Sequence, residues 1–458
     1  MNVDFRLSAD HGRELHRLQL DVPMPKGRRA ALESFASLDL PSTEDELWRY
    51  TDVTFLGETV RSLPEGILDS RNYTEPEPLH SGSRSDALGE IASRTGADEG
   101  VILDLAHLSG ILALRDGVPG PLLISENLLR NRAVIRAIPP TEDPDHPLWF
   151  ELVSPTQDKF TSLVAAFGVD LLIDIPDGVV IEEPLVVSVS VTHMGQAKVV
   201  PLHITLKLGE NSKIPLFVHY SGTGPSDGEP SLLLPVTEVS VGEGSKLSYV
   251  VLQELEHSVC NIETSRVSLG RDAWLSSTVV SLGARLSRHR VETAMAGENS
   301  QSEMLGIYFG NSDQHLDFRT LQDHQAPRTV SDLLYKGAVE DDAKAVYAGL
   351  VRVEKDAQKI NGFQTNKNLV LSEGASAESI PNLEILANDV RCSHASSIGP
   401  VDEEEVYYLQ SRGIDPDLAE ELIVEGFFEE VIERIPSGMT AERIRKEVSE
   451  KFASRESR

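Results

Sequence analysis

The chain has 458 residues, with 73 acidic side chains against 42 lysines and arginines and a net charge of −31. This charge repels phosphate backbones and argues against nucleic-acid binding, and the length exceeds that of one ordinary domain. Two cysteines, Cys260 and Cys392, are too few for a disulfide framework or a four-thiolate metal site. Because no signal-peptide pattern and no apolar run of about 18 residues occurs, we expect a cytoplasmic protein without a membrane span.

Residues 1–150 have the pattern of an N-terminal region of mixed helical and irregular structure. Helical periodicity occurs at 15–20 and 44–49, and the segment 139–147 is rich in Pro and Asp. This segment is the best candidate for a linker. We therefore place the first domain boundary at about residue 150.

Residues 151–400 contain short runs rich in Val, Ile and Leu, each bounded by Gly, Pro, Asn or Asp. PLVVSVSV (184–191) and PLHITLKL (201–208) are examples. Runs of this length with turn residues at both ends are typical of strands. The region is therefore predicted to be mainly β.

A loose repeat within this region consists of an acidic or Gly turn followed by Ser or Ala. The small residue recurs at intervals of 33, 28, 27, 43, 14 and 18 residues, at Ser212, Ser245, Ala273, Ser300, Ala343, Ala357 and Ala375. These intervals indicate a coil of parallel strands with one or two rungs per interval. A small residue at each corner lets successive rungs approach to the spacing of neighbouring strands. The alternative is an antiparallel sandwich with Gly-Asn turns.

Residues 401–458 are predicted to be helical. Acidic residues open the segment 402–413, and Asp415 with Pro416 has the pattern of an N-cap and first helical residue. An apolar stripe follows at about helical spacing, formed by Leu418, Leu422, Phe427, Val431 and Ile435. Because a β-coil is not expected to cover this stripe completely, we expect Leu418, Leu422, Phe427 and Phe428 to contact a partner. The alternative is that the stripe caps the open end of the coil.

The most concentrated group of chemically active residues is DVRCSH (389–394). No phosphate-binding loop, HExxH, GxSxG or CxxC motif occurs, so nucleotide hydrolysis by this chain is not expected. In an extended segment Cys392 and His394 point to the same face, and a thiol with an imidazole suits iron, zinc or copper. The alternative is that both residues continue the inward row of a strand, with the cysteine as a small apolar residue.

Three other polar features have ordinary structural interpretations. His315 and His324, with Asp317 and Asp323, lack a recognised metal-ligand spacing, so hydrogen bonding at rung edges is favoured over metal binding. The basic segment 285–290 is interpreted as a solvated corner or as an intramolecular salt-bridge partner. Cys260 is interpreted as an inert structural thiol.

Several segments, in this order along the chain, resemble the SufB/SufD family of the SUF iron–sulfur assembly machinery. They are ELWRYTDV (46–53), LSRHRVE (286–292), GIYFGNSDQHLDFRTLQDHQAP (306–327), LYKGAVEDDAKAVYAGLVRV (334–353), DAQKINGFQTNKNLVLS (356–372), PNLEI (381–385), NDVRCSH (388–394) and DEEEVYYLQSRGI (402–414). NDVRCSH is similar to the D-type paralogue, and Ala375 stands where the B-type carries a cysteine implicated in cluster assembly. Only residues 395–397 depart from the D-type pattern, which concerns the local turn.

The resemblance implies a right-handed parallel β-helix between an N-terminal mixed region and C-terminal helices. It implies a non-catalytic subunit that pairs with a SufB-like subunit and docks a SufC-like ABC-type ATPase through its C-terminal helices. A nascent iron–sulfur cluster would lie at the subunit interface with Cys392 and His394 as ligands, and the complex is a possible site for a flavin.

We therefore expect a scaffold for iron–sulfur cluster assembly. Cys392 and His394 offer two ligands, whereas a stable cluster usually takes about four, so the site must borrow ligands from a partner and can release its cargo. The alternatives are a SufB-type scaffold or a homodimeric one. A remote alternative is a carbohydrate-active β-helix enzyme, against which the dispersed acidic residues argue.

Overall fold

The computed structural model describes residues 3–8, 24–79, 89, 91, 108–144, 146–225 and 228–453. The helix predicted at 15–20 lies outside these residues. The helical pattern at 44–49 corresponds to a single 3₁₀ turn, Glu46–Trp48.

The N-terminal part is built of short elements. Its strands are β1 Asp4–Phe5, β2 Arg61–Ser62, β3 Glu77–Leu79, β4 Gly110–Arg115, β5 Val118–Ser125 and β6 Val134–Ile138. Its helices are α1 Lys26–Ser37, α2 Glu126–Arg130 and α3 Lys159–Phe167. This part of the chain therefore contains both helices and strands, and β3 to β6 belong to the two large sheets.

The centre of the molecule is a parallel β-solenoid with two strands in each turn. Its strands are β7 Val169–Ile175, β8 Leu185–Thr192, β9 Val199–Leu208, β10 Lys213–Thr223, β11 Ser231–Val241, β12 Lys246–Glu254, β13 Val259–Leu269, β14 Trp274–Ser281, β15 Leu286–Met295, β16 Gln301–Gly310, β17 His315–His324, β18 Val330–Val339, β19 Lys344–Val353, β20 Asn361–Val370, β21 Ser376–Ile385 and β22 Arg391–Gly399. Three helices follow: α4 Glu403–Ser411, α5 Pro416–Ile432 and α6 Gly438–Ala453.

The strands alternate between two sheets. The even sheet runs β22-β20-β18-β16-β14-β12-β10-β8-β4-β5-β3, and the odd sheet runs β21-β19-β17-β15-β13-β11-β9-β7-β6. Neighbours from β7 to β22 pair in parallel. The predicted parallel β-helix is therefore confirmed, and the antiparallel sandwich is wrong.

The boundary placed at residue 150 does not separate the N-terminal region from the solenoid. β4 pairs in parallel with β8, and β6 pairs antiparallel with β7, so both sheets begin before that residue. Within the segment 139–147, Pro139 and Pro140 are buried. This segment therefore joins packed elements and is not a linker between independent domains.

The intervals of the sequence repeat correspond to turns of the solenoid. Four small residues one turn apart precede even strands: Ser212, Ser245, Ala273 and Ser300. Ala343 and Ala375 precede odd strands, and Ala357 lies between them before β20, so the intervals of 14 and 18 residues are half turns. Each small side chain from Ser212 to Ala357 is buried, which allows the corners to stack.

The corners require a left-handed backbone conformation. The residue before the small one has a positive φ in four corners, at Asn211, Gly244, Asp272 and Asn299, and in the corner of Ala343 the positive φ lies two residues earlier, at Asp341. Gly, Asn and Asp adopt this conformation at the lowest cost. This requirement explains why Gly, Asn and Asp recur at this position of the repeat.

Side chains alternate between the lumen and the outer faces of the solenoid. In β17, Leu316 and Phe318 belong to the interior cluster, whereas Asp317 and Arg319 face outward and hydrogen-bond to each other. Phe318 stacks inside the lumen on Tyr308, with ring centroids 4.5 Å apart. Because side chains alternate along a strand, each residue of these strands lies either on the lumen face or on the outer face.

The N-terminal elements that pack on the outer face of the odd sheet are called the N-terminal layer. A buried chain of charges fixes this layer to the sheet. Arg28 of α1 forms an ion pair with Asp170, and His203 lies between Asp170 and Glu238, 2.7 Å from the Glu238 Oε2 atom. Glu238 also accepts hydrogen bonds from backbone N–H groups of the N-terminal layer. Burial alone would lower the pKa of His203, but its hydrogen bonds to the two carboxylates raise that pKa to about 9.

The C-terminal helices cover the outer face of the even sheet. Val424, Phe428 and Val431 of α5 are fully buried in a cluster with outward residues of that sheet. The ring of Phe452 in α6 packs on Phe309, with centroids 4.6 Å apart. The helices lie along the side of the solenoid, so the alternative that they cap its open end is wrong. Among the described helices, none combines the length and apolar character that a membrane crossing needs.

The burial of Phe428 corrects one prediction for the apolar stripe. Phe428 is 0% exposed, whereas Leu418 and Leu422 are 47% and 41% exposed. Phe427 is half-buried, with the Lys336 ammonium 4.4 Å from its ring centroid. A helix with a buried face divides its apolar residues between core and surface, so Phe428 stabilises the fold and cannot contact a partner directly.

The charge chain predicts a loss of stability at alkaline pH. Because the pKa of His203 is raised from 6.5 to about 9, its contribution is fully present below pH 6.5 and is lost as the pH rises through 9. We expect the free energy of unfolding to fall by roughly 3 kcal/mol over this range. Urea titrations between pH 6 and 10 measure it, and a His203→Gln variant should lack this decrease. An equal decrease in that variant would assign it to other groups.

The position of Phe428 predicts a large difference between two residues of α5. Phe428→Ala should lower the free energy of unfolding by roughly 3–5 kcal/mol, because a buried aromatic ring is removed. Leu422→Ala should lower it by less than about 1 kcal/mol, because that side chain is substantially exposed. Denaturant titration followed by circular dichroism provides the comparison. Equal effects of the two variants would contradict the assigned orientation of α5.

Candidate functional site

Cys392 and His394 lie on the last strand of the solenoid. β22 is an edge of the even sheet, where Cys392 pairs with Gly362 and His394 with Gln364. A Cβ atom at Gly362 would lie 3.2 Å from Val351 of the opposite sheet and 3.4 Å from the Cys392 Sγ atom. Gly362 and Cys392 therefore face the lumen, and by alternation so does His394.

The interpretation of Cys392 and His394 as part of an inward row is thus correct, but the inward row of this final turn is not covered by other residues. Leu383, Ile385 and Ile398 occupy inward positions of the same final turn and are 37%, 40% and 46% exposed. One turn earlier, Val351 and Val353, which pair with Leu383 and Ile385, are fully buried. No further turn stacks on β21 and β22 in the described part of the chain, so the site is at the mouth of the lumen.

The open mouth combines two donor side chains with two free strand edges. Cys392 is half-buried and His394 is exposed. Burial raises the pKa of the Cys392 thiol, which favours its protonated form in the absence of a bound metal. Across the residues described, no three His, Cys, Asp or Glu side chains converge as a metal site requires. A metal cargo at this mouth would therefore need ligands from elsewhere.

The two histidines of β17 do not form a common site. His324 is buried in the lumen and hydrogen-bonds to two hydroxyl groups, those of Thr329 and Ser331, at 2.7 and 2.9 Å. Burial lowers the pKa of His324 to about 4. His315 is nine residues from His324 on the same strand, and an odd separation places the two side chains on opposite faces. His315 therefore faces outward, and it lies 3.3 Å from the Thr51 hydroxyl. Each of these histidines is therefore within hydrogen-bond distance of hydroxyl groups of this chain.

The basic segment 285–290 fastens the N-terminal motif to the solenoid. Arg288 forms a buried ion pair with Asp317, and its guanidinium lies 4.0 Å from the ring centroid of Trp48. Arg288 also donates a 2.6 Å hydrogen bond to the Leu47 carbonyl, and Thr51 donates to Asp317. The predicted intramolecular salt bridge is confirmed, and ELWRYTDV (46–53) is a strap across β15 and β17. This pairing of distant motifs was missed from the sequence.

The second cysteine has no chemical role in this geometry. Cys260 is fully buried beneath the N-terminal layer. Burial raises the pKa of its thiol to about 11, so the reactive thiolate is suppressed. The prediction of an inert structural thiol is consistent with this environment.

Large apolar side chains are exposed on both α4 and α5, two helices that contact each other. Leu418 and Leu422 are joined by Tyr407 and Tyr408, which are 73% and 56% exposed. The two tyrosines were not singled out from the sequence, although they lie within the acidic helix that was predicted. Because large exposed apolar side chains that occur together are typical of interaction surfaces, we name Tyr407, Tyr408, Leu418 and Leu422 the helical docking face.

Comparison with known proteins gives a family match that covers the solenoid. A family model described as "SUF system FeS cluster assembly, SufBD core domain" matches residues 191–427. This range includes the mouth of the lumen and all four residues of the helical docking face. It covers half of the chain.

Individual relatives belong to both branches of this family. The chain is 26% identical to an iron–sulfur cluster assembly SufBD family protein of Mycobacterium leprae over 441 residues, which is 94% of this chain and 96% of that protein. It is 35% identical to SufD of Escherichia coli over 36% of this chain and 40% of that protein. It is 27% identical to SufB of Bacillus subtilis over 66% of this chain and 64% of that protein. The chain belongs to the SufBD family of iron–sulfur cluster assembly proteins.

Proposed function

We propose that this chain is a SufD-type scaffold subunit that holds a nascent iron–sulfur cluster together with a SufB-like partner. The observation that carries this proposal is the open mouth of the lumen, which presents Cys392 and His394 between two unpaired strand edges. The cluster is cargo, held in part by each subunit and passed on to apoproteins. The family match favours this function over a carbohydrate-active enzyme.

The D-type assignment rests on residues of the last two turns. Ala375 occupies the corner before β21, where the resemblance places a cysteine in B-type proteins. The strand β22 carries Cys392 and His394 in the D-type segment NDVRCSH (388–394). With no thiol at Ala375, this chain offers one cysteine near the mouth, so a partner must supply the remaining ligands. A SufB-type role would require the missing cysteine.

The mouth itself favours a second solenoid as the partner. β21 and β22 are 10 and 9 residues long and form the two sheet edges at this end. Exposed edges of this length pair readily with other strands. The inward apolar residues Leu383, Ile385 and Ile398 would be buried by a further turn from the partner. A homodimer formed through the same edges remains the alternative outcome.

The helical docking face is assigned to the ATPase subunit. Its residues lie on α4 and α5, the helices that follow the edge strand β22, and α5 packs on the outer face of the even sheet. The chain has no phosphate-binding loop, so we assign ATP hydrolysis to the partner and propose a non-catalytic, cytoplasmic subunit.

The cluster role predicts a specific loss of cargo. In a complex purified with the SufB-like and ATPase subunits, Cys392→Ser and His394→Ala should each lower bound iron and acid-labile sulfide, because each removes a ligand. The double variant should bind roughly tenfold less or lower still. Size-exclusion profiles should not change, since little apolar area is removed. Ser396→Ala, on the same inward row, is the matched control. Normal iron and sulfide in the double variant would return Cys392 and His394 to a structural role.

The docking role predicts a loss of partner binding without unfolding. Leu418→Ser combined with Leu422→Ser should weaken capture of the ATPase subunit by roughly tenfold, because apolar contacts are lost. Circular dichroism should remain that of the parent chain. Leu129→Ser, at a helical residue that is 39% exposed, is the matched control, and the isolated chain should not hydrolyse ATP. Undiminished capture by the double variant would place the ATPase contact elsewhere.

A further inference from the structure

Gln364 is a buried polar side chain without a hydrogen-bond partner. It is 1% exposed, and neither its Nε2 nor its Oε1 atom has a partner among the described residues. Leaving a buried amide unsatisfied costs roughly 1–3 kcal/mol. Such groups are uncommon in folded proteins and call for an explanation.

The position of Gln364 places this amide directly beneath the candidate site. On β20 it pairs with His394, and like its neighbour Gly362 two residues earlier it faces the lumen. Its carboxamide lies against the opposite sheet, where a Cβ atom at Gly349 would collide with the Gln364 Nε2 atom. The absence of a side chain at Gly349 therefore leaves the space that the Gln364 carboxamide occupies, one turn below His394.

The lack of partners is specific to this place in the inward row of β20. Asn366 donates to the Tyr308 hydroxyl at 2.9 Å, and Asn368 donates to the Asn366 Oδ1 atom at 2.8 Å. Further along the same strand the amides are thus bonded to other protein groups, although both also lie one turn below β22. Unpaired polar atoms occur elsewhere in the solenoid as well, but Gln364 is the inward amide of β20 that pairs with His394.

We propose that Gln364 is a further substrate-binding residue, whose Nε2–H group donates a hydrogen bond to a sulfide of the nascent cluster held at Cys392 and His394. This inference rests on the proposed function and adds a hydrogen-bond donor one turn below the two proposed ligands. Sulfide is an anionic acceptor, and hydrogen bonds to cluster sulfur are a general means of stabilising such clusters. The amide, which has no partner among the described residues, gains one when the cargo is bound.

The test compares cluster retention and protein stability in the same variant. Gln364→Leu keeps the volume and removes the amide, so the complex with both partner subunits should lose acid-labile sulfide to an iron chelator roughly five- to tenfold faster than the parent. The thermal midpoint of the variant chain should be unchanged or higher, because an unsatisfied buried polar group has been removed. A merely structural glutamine would not give these opposite effects.

Asn368→Leu is the matched control, because this inward amide of the same strand is hydrogen-bonded. It should lower the thermal midpoint and leave the rate of sulfide loss unchanged. Gln364→Met provides a second variant without an amide donor, in case leucine disturbs packing.

The outcomes separate this inference from the proposed function. Parental retention in Gln364→Leu and Gln364→Met, with sulfide still absent from the Cys392→Ser, His394→Ala double variant, would overturn the role of Gln364 and leave the scaffold function intact. A lower thermal midpoint without faster sulfide loss would also overturn it. A parent complex that binds no sulfide at all would overturn both.

Discussion

The stacking of turns is the constraint on which the rest of this structure depends. In a two-sheet solenoid, each turn buries its inward row only against the turns before and after it. The backbone is satisfied by parallel pairing along the solenoid, and the corners stack because they carry small residues, which in four corners directly follow a left-handed one. Every turn can be followed by another turn, so the repeat itself covers neither the strand edges at the two ends of the coil nor its two outer faces. Other elements are needed to cover them.

The outer faces are closed by different physical means. On the odd sheet, the N-terminal layer contributes charged groups, and the alternation of Arg28, Asp170, His203 and Glu238 compensates buried positive groups with buried negative ones. A buried ion pair repays its desolvation only when the remaining bonding groups are also satisfied, and the backbone donors to Glu238 meet that condition. On the even sheet the contact is mostly apolar, through α5 and α6.

The two ends of the coil differ in whether their strand edges and inward rows are covered. At the N-terminal end, β4 and β6 continue both sheets and reverse direction with their neighbours β5 and β7. At the C-terminal end, β21 and β22 leave their edges and inward rows uncovered. The donor residues of the candidate site lie at this incomplete end. Under the proposed function, this open end would be where a partner completes the site.

The sequence by itself indicated a coil of parallel strands, through a small residue that recurs after an acidic or Gly turn, and the resemblance to the SufB/SufD family favoured that coil over an antiparallel sandwich. It also determined the pair of donors, since alternation along an extended strand puts Cys392 and His394 on one face. Only the tertiary structure decided that Phe428 is buried and Leu422 exposed, because their difference depends on the sheet against which α5 packs. The same holds for the strap that joins Trp48 to Arg288 and for the unpaired amide of Gln364. These features depend on contacts between residues far apart in the chain, and local periodicity carries no information about which distant surface a side chain will meet.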